Sequence, residues 1–101
     1  MFYVYVIVNP AGKHYYGYTS NLRERIRQHQ SHHSRYTAGD EWKLVYYEVF
    51  LSKEDARRRE RKLKDGGQSV RHLKDRIKDS ISLGCAELSA GLKAPSRREG
   101  R

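Results

Sequence analysis

Residues 2–8, FYVYVIV, are apolar or aromatic without interruption. A β-branched and aromatic run of this length predicts a strand buried on both faces. NPAGK follows, and its Asn-Pro step and glycine predict a turn. HYYGYT then restores an aromatic pattern and predicts a second strand, so that residues 2–18 form a hairpin. Gly17 lies inside that second strand, where a glycine marks a bulge or the close approach of another group.

The pattern changes period at residue 21. Asn21 with Glu24 resembles a capping box, and Leu22, Ile26 and His29 fall on one helical face. Arg25 lies about 60° to the side of that stripe. Arg25 and His29 therefore belong at or beside the inward face. SHHSRYTAGDEW reads as a polar loop and KLVYYEVF as a third strand. Ser52 and Asp55 give a second capping signal before KEDARRRERKLK, and Gly66-Gly67 supplies the stop. The apolar stripe of that helix is thin, Ala56 and Leu63, with Glu60 between them. A third helix is predicted from about Ser69 to Leu83, with Val70, Leu73, Ile77 and Ile81 in register and Gly84 as its C-cap. The segment after it is poor in large apolar groups and ends in PSRREGR, which predicts a disordered basic tail over 84–101.

A chain of 101 residues suits one domain, here 1–83, with one modest core. The formal net charge of +9 favours a polyanionic partner. The longest apolar run is far short of the roughly 20 residues of a spanning helix and has neither a basic leader nor a cleavage site. Cys85 stands alone, which excludes an intrachain disulfide and a cysteine-based metal cage. A reducing, cytoplasmic setting is expected.

Hydrolysis of a phosphodiester needs a base for water, a cation for the pentavalent oxyanion and help for the leaving oxygen. Arginine suits the cation because its fork binds phosphate oxygens bidentately. A carboxylate holding Mg²⁺ can serve the second and third roles. Tyrosine or histidine can serve the first. Each type also has a plainer place: Tyr5 and Tyr15 as core residues, Arg25 on a solvated face, His29 as a hydrogen-bonded core histidine. Glutamate is rarely buried without a partner, so Glu60 calls for either a salt bridge or a metal. His29, His32 and His33 lack a fourth ligand at zinc-binding spacing. RRRERK is a solvated face by default and a phosphate-facing patch as the second reading. On that reading Arg57, Arg58, Arg61, Lys62 and Lys64 contact nucleic acid, with Arg27 on the first helix and the backbone at Gly17.

Taken in order, these residues resemble the GIY-YIG nucleases, most closely their small stand-alone bacterial members. YVY at 3–5 looks like the first motif and YYG at 15–17 like the second. The arginine eight residues after Gly17 is Arg25, and the histidine four further on is His29. ERKLK looks like the family's glutamate segment and supplies Glu60. The resemblance covers residues 2–64. It implies an α+β fold, a small three-stranded antiparallel sheet flanked by helices. It implies a nuclease with one divalent metal, Mg²⁺ or Mn²⁺, held by Glu60. Tyr5 and Tyr15 are then near the attacking water, Arg25 on the scissile phosphate, and His29 a proton handler or phosphate ligand. Tyr3 replaces the glycine of the first motif, and Gln30 follows His29 where small members often carry asparagine.

The expected function is a metal-dependent DNA endonuclease, a nickase or a structure-selective enzyme, in repair or recombination. A nucleic-acid-binding module on the same fold is the alternative, and a basic ribosome- or RNA-associated protein a third.

Overall fold

The apolar run at 2–8 takes the position in the sheet that is covered on both faces, its centre. The computed structural model describes residues 1–30 and 41–93. Within them the elements are β1 (Phe2–Val8), β2 (His14–Thr19), α1 (Leu22–Gln30), β3 (Lys43–Phe50), α2 (Lys53–Asp65), α3 (Gln68–Arg76) and α4 (Lys78–Lys93). The strands form one antiparallel sheet in the order β2-β1-β3. This is the α+β fold that the sequence predicts. His32 and His33, with the rest of 31–40, and the terminal residues 94–101 lie outside the described residues.

Alternation along β1 divides the core in two. Val4 and Val6 pack with Ala56, Leu63, Leu73 and Ile77 on the face covered by α2 and α3. Tyr5 and Ile7 pack on the other face with Trp42, Leu22 and Ile26, beneath α1. The capping signals are used as read. The Glu24 N–H donates to Asn21 Oδ1 at 3.2 Å, and the Asp55 N–H donates to Ser52 Oγ at 3.2 Å. Gly66, at φ 81°, ends α2 in a conformation that favours glycine.

The C-terminal third departs from the pattern. The predicted helix 69–83 is two helices with a break at Ile77, whose φ is −115°. Gly84 does not stop the second one: α4 passes through it to Lys93, so the boundary expected at 83 falls inside a helix. The reason is a close approach. A Cβ on Gly84 would lie 2.5 Å from Val45 Cγ1 and 3.3 Å from Val8 Cγ2. The glycine serves helix-to-sheet contact and not a cap. Beyond it, Cys85 Sγ lies 3.7 Å from the Asn9 carbonyl oxygen, and Lys43 pairs with Glu87 at 2.9 Å. The expected tail is thus ordered helix as far as Lys93.

Gly84→Ala tests this packing. On a helix clear of the sheet, the change would stabilise by about 1 kcal/mol through propensity. Against Val45, a stiff β-branched neighbour, overpacking costs roughly 1–3 kcal/mol. We expect a lower melting temperature by circular dichroism. An increase would show that α4 does not close on the sheet.

Candidate active site

The site begins with the register of the hairpin. Tyr5 on β1 lies directly opposite Gly17 on β2. The Tyr5 phenol crosses over Gly17, and a Cβ there would overlap the end of the ring. The group expected to approach Gly17 closely is therefore a side chain of this chain. Gly17, expected as a nucleic-acid contact, is buried, and the structure gives it a packing role against the Tyr5 ring.

The phenol ends at α1. The Tyr5 hydroxyl and His29 Nε2 are 2.8 Å apart, and His29 is fully buried. The Tyr15 ring completes a cluster, with its centroid 5.2 Å from His29 and 6.4 Å from Tyr5, and Trp42 lies behind it at 6.5 Å. Arg25, one turn before His29, interacts with the hydroxyls of both Tyr5 and Tyr15. Its Nη1 also donates to Gln28 Oε1 at 2.8 Å.

Electrostatics fix the protons. Burial pushes the Tyr5 hydroxyl up to about 12, against the opposing pull of Arg25; Tyr15 and Glu60 add to the rise. Burial, helped by the Arg25 charge, pulls His29 down to about 4. Burial disfavours the charge on Arg25, but the phenols more than offset this and hold its pKa above the usual arginine value. At neutral pH, Tyr5 is a neutral phenol and His29 a neutral imidazole. A guanidinium has no acceptor, so Arg25 donates to the Tyr5 oxygen, and Tyr5 donates its proton to His29 Nε2. That bond assigns the remaining proton of the imidazole to Nδ1. Both shifts oppose moving the proton from Tyr5 to His29. The pair holds a proton in place rather than passing it. His29, expected as a proton handler or phosphate ligand, is buried and neutral at neutral pH.

Glu60 comes from α2. It is close enough to Tyr5 for its charge to act on the phenol, and its side chain is 19% exposed. The salt bridge weighed for it exists, with Lys64 one turn on, at 3.1 Å. Lys64 Nζ also lies 5.6 Å from the centre of the Tyr15 ring. Lys64 was expected only as a surface contact, yet it belongs to the site; the i,i+4 spacing from Glu60 is the signal that would have found it.

The other predicted contacts are scattered. Arg27 is held by Glu24 through two bonds, at 2.6 and 3.1 Å, on the exposed side of α1. Arg58 pairs with Asp55 at 3.0 Å, and Arg57 lies over the Tyr18 ring at 5.9 Å. Arg61 and Lys62 are exposed. Arg59, inside the same basic run, turns inward and forks onto Glu48 at 2.9–3.1 Å, which is a structural role.

Among the described residues no three His, Cys, Asp or Glu converge as a metal cage. With His29 Nε2 taken up by the Tyr5 hydroxyl, the remaining donors around Tyr5 are oxygens: the Glu60 carboxylate and the Tyr5 and Tyr15 phenols. A hard cation that keeps most of its waters and takes substrate oxygens fits that set. Glu60 is the residue that would hold it.

The lowered pKa of His29 has a consequence for stability. Its folded value lies below the unfolded 6.5. Its contribution is therefore complete above pH 6.5 and is lost as pH falls towards 4, on the order of a few kcal/mol. His29→Gln keeps an acceptor for Tyr5 and cannot titrate. Its melting temperature should fall less steeply between pH 6.5 and 4 than that of wild type. Parallel slopes would mean that His29 is not buried neutral.

A solution NMR structure of a UPF0213 protein from Bacillus halodurans is 33% identical, matches 77% of this chain and 86% of its own, and superposes with a TM-score of 0.49. No curated protein matches. The family model for the GIY-YIG catalytic domain matches residues 1–79, past residue 64 where the motifs end. Domains of this family are endonucleases and generally depend on a divalent metal. The chain belongs to the GIY-YIG family.

Proposed function

We propose that the protein is a DNA endonuclease that uses Mg²⁺ or Mn²⁺ at Glu60, acting on a structural feature of DNA in repair or recombination. The observation that carries this reading is convergence. Tyr5, Tyr15, Arg25, His29 and Glu60 come from β1, β2, α1 and α2 to one place. A plain packing role for each would not require them to meet.

The roles follow from exposure and charge. Arg25 is the cation for the scissile phosphate, and its fork suits two of its oxygens. Tyr15 is partly exposed while Tyr5 is buried, so Tyr15 is the phenol that can meet water and take its proton. Tyr5 and His29 position Arg25, since the Tyr5 oxygen accepts from it and is itself held from behind. Water attacks phosphorus as its proton passes to the Tyr15 oxygen and the Tyr15 proton passes to solvent, while the bond to the leaving oxygen breaks and that oxygen takes a proton from solvent. A divalent cation bound at Glu60 would neutralise charge on the phosphate and on that oxygen. Lys64 already neutralises Glu60, so the metal must displace an ammonium that is 47% exposed. The same ion pair favours the second reading, a binding module with weak cleavage.

Incubation with supercoiled plasmid, branched DNA and RNA, with Mg²⁺, Mn²⁺ or EDTA, separates the two. Metal-dependent cutting of DNA supports the enzyme; tight binding without cutting supports the module. Arg25→Ala should reduce cleavage by about a hundredfold or more, with DNA affinity little changed, because one phosphate contact among many carries little of it. Near-normal cleavage would remove Arg25 from the phosphate. Glu60→Gln should abolish metal-dependent cleavage. Its effect on stability should stay within about 1 kcal/mol, because Lys64 remains in contact with solvent. A clear fall in melting temperature with cleavage retained would make Glu60 structural.

A further inference from the structure

We propose that Tyr3 and Tyr47 form a stacking platform for one unpaired DNA base beside the scissile phosphate. The proposal rests on the endonuclease reading and names its substrate class: DNA with an unpaired nucleotide at the cut, as in a flap, gap, branch or single strand.

Tyr47 on β3 lies directly opposite Tyr5 on β1. Opposed residues share a face, as do residues two apart on a strand, so Tyr3, Tyr5 and Tyr47 all project from the same face. Tyr3 is one pleat repeat from Tyr5, about 7 Å along the strand. The two halves of that face differ. At one end α1 and Trp42 bury Tyr5 and Ile7. At the other, Tyr47 is 50% exposed and Val49, opposite Tyr3, is 44% exposed. Met1 and Leu51, just beyond the ends of the two strands, are exposed at 61% and 83%. The Tyr3 and Tyr47 rings are 6.1 Å apart and tilted by 57°, so neither ring covers the face of the other. Tyr3 also stands where the first motif of the family carries glycine; the platform is built from this chain's departure.

The chemistry of the patch selects its occupant. Arg25 at the Tyr5 hydroxyl and an open aromatic pair on the same sheet face match an anionic phosphate and the π-face of a base. A second copy of the chain is a poorer fit, since a stable interface takes roughly 20–30 residues a side and the patch offers five. A paired base is stacked above and below and has no face to offer. An unpaired one does, and base–aromatic stacking tolerates any sequence.

The test uses the full chain in EDTA, with a single-stranded oligonucleotide and a blunt duplex of equal length. Tyr47→Ala should bind the single strand about fivefold or more weakly, with duplex affinity within about twofold. Tyr47→Phe keeps the π-face and should bind both as wild type does. With 2-aminopurine in the single strand, fluorescence should be quenched by wild type and Tyr47→Phe but not by Tyr47→Ala. Equal loss on both substrates, no loss, or a phenylalanine variant that behaves like alanine would overturn the platform. So would sedimentation of wild type as a dimer that Tyr47→Ala dissociates, which would make the patch a protein interface. A wild type that shows the expected binding pattern and never cuts would count against the endonuclease reading alone.

Discussion

The hydrogen bond between the Tyr5 hydroxyl and His29 sets the conditions for the rest of the site. A phenol oxygen buried in the middle of a sheet is costly unless it is paired. Tyr5 finds its partner on α1, a helix that must then lie across the sheet at a fixed height. That height puts Arg25, one turn back, at both phenols. The bond also needs room on β2, which only the missing side chain of Gly17 provides. One contact thus ties the central strand, the second strand and the first helix together, and the reactive groups are its neighbours.

Burial explains why this arrangement can be both firm and reactive. The low pKa of His29 and the high one of Tyr5 share a cause, exclusion of water. Both groups stay neutral, so the interior holds one charge, the guanidinium, whose field is only partly answered by phenols. Glu60 stands closer to solvent and is matched by a half-exposed lysine. The deep part of the site is built to stay as it is, while the outer part can exchange an ammonium for another cation at little cost.

Much of this was legible in the sequence because it is local. The Tyr5–Gly17 register follows from a short turn after an uninterrupted strand, and the placement of Arg25 and His29 follows from helical spacing after Asn21. What stayed hidden depends on contacts between distant segments. Glycine reads as a helix stop, yet Gly84 is interior because a helix needs to touch Val45. Gly17 announces a close approach but not by what. Arg59 and Arg58 are adjacent in one basic run, and only the position of Glu48 on β3 separates an inward fork from a surface pair. The wheel placed Glu60 beside the core correctly, but whether a metal or a lysine meets it was beyond periodicity.

The basic surface must also be weighed by what its charges already do. Arg27, Arg58 and Lys64 each spend their charge on a carboxylate within one helical turn. Exposed pairs of this kind are worth only about 0–1 kcal/mol. A phosphate that brings its own charge and releases counterions can therefore compete for the same cations. Intrahelical pairing of this strength is no bar to a contact with phosphate. Arg59 is different, because its fork onto Glu48 is largely shielded from water. The exposed charge of α2 includes Arg61 and Lys62, and Lys64 lies over the Tyr15 ring.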